Sequence, residues 1–209
     1  MPRQDNYAIM ADNTRKLFLT YDQSAILANI PLTHDESHFY LPVLDRTCRI
    51  SRQTGHIFWS SPDGSWEAST SPNDAITLFD YLCDAKPDRR LSGEYRALTG
   101  FGHQFHTGLV ENSAPTALEC FIDAHPDAFR SACEALGGKP HPKGDIGYTL
   151  PLFQDFPVLL QFWHSDEDFP PQLRSFWDTN ALSWLRYETM YYAQRLLLDR
   201  VSALMNLHN

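Results

Sequence analysis

Asp166-Glu167-Asp168 sets three carboxylates side by side, directly after the apolar run Val158-Leu159-Leu160-Gln161-Phe162-Trp163. Carboxylates this close raise one another's pKa unless a cation or hydrogen-bond donors offset the repulsion. At the mouth of a buried strand, such a group suits a hard cation or a cationic ligand, with Asp145 or Asp178 brought alongside by the fold. The same residues also suit a solvated acidic turn, in which one carboxylate caps backbone N–H groups and another pairs with Arg174. A second set lies between Leu91 and Gly108. His103 and His106, in H-x-x-H spacing, offer imidazoles to a transition metal or a haem-type tetrapyrrole, with His125 and His164 elsewhere in the chain. Gly100, Gly102 and Gly108 let a backbone approach a ligand closely, and suit plain tight turns equally well. Glu94-Tyr95-Arg96 supplies a general acid and a cation, or a surface ion pair. Glu94, His103, His106 and Trp163 are therefore the ligand-binding candidates. Asp145, Asp166, Glu167, Asp168 and Asp178 are the metal candidates.

Other chemistries are excluded. Gly137-Gly138 and Gly144 follow a helix instead of opening one, and no Lys-Ser/Thr comes after them, so they make no phosphate cradle. There is no G-x-S-x-G elbow and no cysteine with an evident base partner, so no catalytic nucleophile is assigned. Cys48, Cys83, Cys120 and Cys133 are scattered with no C-x-x-C pair, which argues against a thiolate zinc or iron–sulfur site. Cys83 and Cys133 fall on apolar helix faces, where a thiol behaves as a small hydrophobe.

The elements that must position these groups follow from periodicity. Asn6 to Asn29 holds one or two short helices. Residues 38–60 read as an antiparallel meander of three short strands, with Pro42 calling for a sheet edge or a bulge because it lacks an N–H. Ser71-Pro72-Asn73-Asp74 opens a helix, with Ser71 as its cap, that ends at Lys86-Pro87. Pro87 to Pro115 reads as one long connection, a length that implies function or unrecognised strands. Helices follow over 116–124 and 126–136, the second stopped by Gly137-Gly138. Ile146, Tyr148 and Leu150 alternate as a strand, and Val158 to Trp163 reads as a central strand covered on both faces. Phe169-Pro170-Pro171 is a rigid exit from it. A final helix covers roughly Ser183 to Met205.

The chain has 209 residues, 43% hydrophobic and 21% charged, with a net charge of −9. A chain of this size buries enough surface for a self-sufficient core, and a disordered or collagen-like polymer is excluded. The acidic balance and the lack of any basic run longer than Arg89-Arg90, itself preceded by Asp88, exclude nucleic acid as a partner. No apolar run approaches the length needed to cross a bilayer, and the first ten residues lack a signal-peptide core, so the expected location is the cytoplasm.

Leu91-Ser92-Gly93, Leu136-Gly137-Gly138, Gly144-Asp145, Phe153 with Phe156-Pro157, Trp163 with Asp166-Glu167-Asp168-Phe169-Pro170, and Phe176-Trp177-Asp178 occur in that order. Their order and spacing resemble the bacterial family catalogued as domain of unknown function 3786. Trp163 to Pro170 is the most specific part. The resemblance runs from about residue 70 to the end and more loosely through the meander. Some members of that family carry an added four-cysteine iron–sulfur segment. This chain has none, so no cluster is expected, and the family transfers neither an activity nor a catalytic set.

The fold expected is a single compact α+β domain, mostly antiparallel sheet packed against three or more helices, with residues 1–36 a helical extension packed on it. The function expected is a binding or accessory protein for a small ligand, a divalent metal or a metal-containing cofactor such as a tetrapyrrole. Its site would lie between the acidic turn and the glycine-rich segment. A metal-dependent hydrolase built on the carboxylates is the alternative, and a protein-interaction module without a ligand is the second alternative. The oligomeric state is left open.

Overall fold

A computed structural model describes residues 6–101 and 115–207. In chain order its elements are α1 (Asn6–Phe18), α2 (Gln23–Asn29), β1 (Thr33–His34), β2 (His38–Val43), β3 (Arg46–Ser51), β4 (Ile57–Ser60), β5 (Trp66–Ala68), α3 (Pro72–Asp84) and β6 (Tyr95–Ala97). They continue as α4 (Ala117–Ala124), α5 (Pro126–Ala135), β7 (Lys139–Pro140), β8 (Ile146–Phe153), β9 (Phe156–Trp163), β10 (Gln172–Asp178) and α6 (Tyr187–Leu204). This is an α+β fold whose strands pair antiparallel. The chain divides into two compact units, Met1–Arg90 with Asn180–Leu196 and Leu91–Thr179 with Leu197–Asn209.

In the first unit β2, β3 and β4 pair in sequence as the expected three-stranded meander, which β5 extends beyond residue 60 and β1 joins along Phe39 and Tyr40. Alternation puts Phe39, Leu41, Val43, Cys48 and Ile50 inside. The hairpin between β2 and β3 turns through Leu44 at φ +53°, a conformation usually left to Asn or Gly. Phe18 of α1 reaches this core, stacked on Phe79 of α3 at 4.6 Å and edge-on to Phe39 at 6.3 Å. Two expectations need correction. Pro42 brings no bulge to its hairpin, because it pairs with Thr47 in unbroken register and is exposed. Ser71 makes no side-chain cap bond. The buried Asp74 instead binds the start of α3 to the sheet, accepting from Trp59 Nε1 at 2.6 Å and the Ser69 hydroxyl at 2.5 Å.

α6 begins later than the sequence suggests, after a short 3-10 turn at Ala181–Ser183. Its start is fixed by Asp80, whose carboxylate is buried. One oxygen accepts from Arg186 N at 2.9 Å and the other from Arg186 Nε at 2.5 Å. Among the described residues no helix is long and apolar enough to cross a membrane.

In the second unit β8, β9, β10 and β6 lie side by side, with β7 on β8. β9 is central, as its apolar run demands, and Val158 through Phe162 each face a partner on both β8 and β10. Phe129 of α5 packs on Phe162 at 6.2 Å. The helix ends where Gly137 takes φ +75°. Gly147 of β8 is overlaid by the preceding loop, and an added Cβ would collide with the backbone oxygens of Lys143 and His141. Five strands, β1, β5, β6, β7 and β10, have no counterpart in the sequence reading. β10 follows the Pro170-Pro171 exit, and β6 lies inside the segment that reads as one long connection, followed by a 3-10 turn at Leu98–Gly100.

Candidate functional site

β9 is held by strands on both sides, so the residues that leave its end are fixed in place. Trp163 and His164 leave toward opposite faces. Trp163 packs edge-on to Phe176 at 6.4 Å, and His164 packs edge-on to Phe162 at 5.2 Å. α4 approaches the His164 side. Its start is secured by a reciprocal capping box between Thr116 and Glu119. Glu119 also accepts from Leu173 N of β10 at 2.8 Å, tying the helix to the sheet. The last turn of α4 carries Asp123.

Asp123 and His164 form a polar constellation at the end of β9. Asp123 Oδ1 lies 2.7 Å from His164 Nδ1 and accepts from Ser165 N at 3.2 Å, and Asp123 Oδ2 accepts from the Ser165 hydroxyl at 2.6 Å. Asp145 accepts from His164 N at 2.8 Å, while its own N–H donates to Phe162 O at 2.9 Å. Backbone and ring of His164 are thus held by two separate carboxylates. A carboxylate on Nδ1 selects the tautomer with the proton there and leaves Nε2 with its lone pair. Nε2 has no hydrogen-bond partner among the described residues, and the His164 side chain is 38% exposed. Ser165 donates to Asp123 and not to the imidazole, so this is no nucleophile relay.

The Ser165 and His164 side chains hold the Asp123 carboxyl below its ordinary value of 3.8. A carboxylate depressed in the folded state stabilises the fold above its unfolded pKa, and that contribution is lost as pH falls through the folded value. The stability difference between the parent and Asp123→Asn is accordingly expected to be constant near neutrality and to shrink below about pH 4. Urea melts of both proteins across pH 3–7 would measure it.

The other candidates are placed as follows. Asp166 closes its own turn, its Oδ1 accepting from Asp168 N at 2.9 Å and Phe169 N at 2.7 Å. Glu167 and Asp168 are exposed. Arg174 donates to Gln172 Oε1 and sits near the Trp163 ring, so it forms no pair with the acidic turn. Asp178 is fully buried and is spent on the Leu91-Ser92-Gly93 segment, accepting from Ser92 N at 3.1 Å, the Ser92 hydroxyl at 2.9 Å and Gly93 N at 2.9 Å. The Glu94 side chain is exposed, while Arg96 stacks on Phe101 at 4.2 Å and donates to Thr179 O at 2.9 Å, so these two make no ion pair. Asp145, Asp166, Glu167, Asp168 and Asp178 do not converge, and no group of three or more His, Cys, Asp or Glu side chains that could hold a metal forms among the described residues. His103 and His106 lie outside the described residues.

Cys48 and Cys133 are buried, and burial pushes the Cys83 and Cys133 thiols up to about 12, so they stay neutral. Sequence reading missed Asp123 and Ser165. Asp123 looks like any polar residue of an amphipathic helix, and its partner lies 41 residues away.

No curated protein and no solved structure matches the chain. A family model described as domain of unknown function (DUF3786) matches residues 22–200. That span takes in the Asp123–His164 pair, the acidic turn, and the two motifs that Asp178 joins, Leu91-Ser92-Gly93 and Phe176-Trp177-Asp178. The chain belongs to the DUF3786 family.

Proposed function

We propose that this chain is a ligand-binding or accessory protein whose site is the His164 imidazole at the end of β9, used as a single donor to a metal-containing cofactor of the tetrapyrrole class. One observation carries the reading. The ring is oriented through Nδ1 by Asp123 at 2.7 Å, which leaves Nε2 unengaged on a partly exposed side chain. A histidine that ligates a metal characteristically donates its other N–H to a carboxylate, which fixes ring orientation and raises donor strength. The donor set also selects the kind of metal species. A bare divalent ion needs three or four protein ligands, and no such group forms among the described residues. A macrocycle brings its own equatorial nitrogens and asks the protein for an axial donor. The hydrolase alternative needs converging carboxylates, and Asp145, Asp166 and Asp178 are each committed to backbone donors in different places.

Titration with hemin and, separately, with aquocobinamide tests the proposal through the visible absorption bands. A saturable spectral change is expected with at least one of them. His164→Ala should remove it, and Asp123→Asn should weaken binding by about 10- to 100-fold. Absence of a saturable change with both cofactors, or equal binding by His164→Ala, overturns the reading.

A further inference from the structure

The first unit carries a second arrangement that the His164 site does not use. Across the outer face of the meander, Tyr40 of β2, Arg49 of β3 and Phe58 of β4 stand in one row, because Arg49 pairs in register with Tyr40 on one side and Phe58 on the other. Trp66 of β5 projects from the same face, since Phe58 pairs with Ala68 and side chains two residues apart share a side. The Arg49 guanidinium carbon lies 4.8 Å from the Phe58 ring centre and 4.4 Å from that of Trp66. Tyr40 closes on Trp66 at 6.1 Å. All four residues are half-buried.

Arg49 is held by aromatic rings and by no anion. It has no ion pair and no hydrogen bond among the described residues, and its Nε is buried without a partner. The nearby carboxylates are committed elsewhere. Alternation along β5 turns Glu67 to the opposite face, where it meets Ser61 and Arg46. Asp35 is occupied by Ser37 N, His38 N and the Tyr40 hydroxyl. A guanidinium stripped of water on its faces and clamped between rings has lost most of its rotamer freedom. Its terminal N–H groups are then a preorganised fork for a planar two-oxygen anion.

The surroundings choose among anions. The neighbouring cations are engaged, Arg46 with Ser60 O and Glu67, and Arg52 with Gln23 and Asp35 O. One uncommitted fork on a chain of net charge −9 cannot neutralise a run of phosphates. It matches one carboxylate, and the flanking Tyr40, Phe58 and Trp66 match apolar side chains on either side of that carboxylate. We propose that this face docks an extended peptide segment of a partner protein, in which one Glu or Asp flanked by apolar residues places its carboxylate on Arg49.

The test uses the whole chain labelled with 15N and the peptide Ac-Phe-Glu-Phe-NH2, followed at the Arg49 Nε–H and Trp66 indole N–H signals. Both signals should shift saturably, and the Gln counterpart of the peptide should bind at least about tenfold more weakly. Arg49→Lys should lose about tenfold or more, because an ammonium neither stacks nor forks. If that variant fails to fold, Trp66→Ala on the last strand of the meander takes its place with the same expected loss. Equal binding of the Glu and Gln peptides overturns the proposal. So does retained affinity in the variant, or no shift at about 10 mM peptide, ten times the Kd of a weak millimolar site. Tighter binding of the phosphoserine counterpart than of the Glu peptide overturns the carboxylate assignment in favour of phosphate. None of these readouts involves His164.

Discussion

Asp178→Ala should destabilise the protein by about 2–4 kcal/mol, the loss of a buried carboxylate's charge-assisted hydrogen bonds to Ser92 and Gly93. The carboxylate is fully buried and collects two backbone N–H groups and a hydroxyl from Ser92 and Gly93. Removing it takes away the shared acceptor of all three donors, and a hydrogen bond to a charged group contributes about 1.5–3 kcal/mol. Asp178→Asn should recover little, because an amide offers one acceptor and aims an N–H2 group at donors. Exposed Glu167→Gln, also a sequence candidate for metal binding, should stay within about 0.5 kcal/mol. Urea unfolding reads the contrast as a change in midpoint at constant slope. A fall of less than about 1 kcal/mol for Asp178→Ala would mean that the join between residues 91–93 and β10 is not needed for folding.

Trp177→Ala, one residue earlier on the same strand, should cost about as much for an unrelated reason. Its ring is fully buried, packs on Phe156 at 5.8 Å, and donates from Nε1 to the Ser175 hydroxyl at 3.2 Å. Truncating a buried tryptophan loses its transfer free energy and leaves a cavity, together about 3–5 kcal/mol. Trp177→Phe keeps most of the volume and should lose only about 1–2 kcal/mol, including the indole hydrogen bond. Thermal melts of the two variants would separate volume from polarity. Equal losses would mean that the hydrogen bond, and not the ring, carries the contribution.

Most elements were legible because their patterns are local. The meander announced itself through Phe39, Leu41 and Val43 alternating with Tyr40, Pro42 and Leu44, and the centrality of β9 through a run with no polar face to spare. β10 was missed because Leu173 is the lone apolar side chain in Gln172-Leu173-Arg174-Ser175, too little to show a period, and the strand follows two prolines. β6 was missed because a strand of three residues is too short to show a period. The candidate site was half legible. The end of β9, where the sequence reading set its carboxylates, is also where Asp123 meets His164, and Asp166 caps a turn as one of the two readings allowed. The carboxylates, however, were expected to be brought alongside one another by the fold. In space they bind separate donors, Asp145 the His164 backbone, Asp166 its own turn, and Asp178 the Ser92 and Gly93 segment. Asp123, the carboxylate that orients an imidazole, gave no local sign because only the meeting of α4 with the end of β9 defines it.

The loop laid over Gly147 has an evolutionary corollary. His141 and Lys143 press backbone, not flexible side chains, onto the α-carbon of that strand residue. A shifted rotamer therefore cannot make room for even a methyl group. In a saturation scan of this chain the column for Gly147 should be almost empty of survivors, although the residue carries no chemistry at all. An invariant position found there among relatives would record the thickness of a peptide chain and not the presence of a ligand.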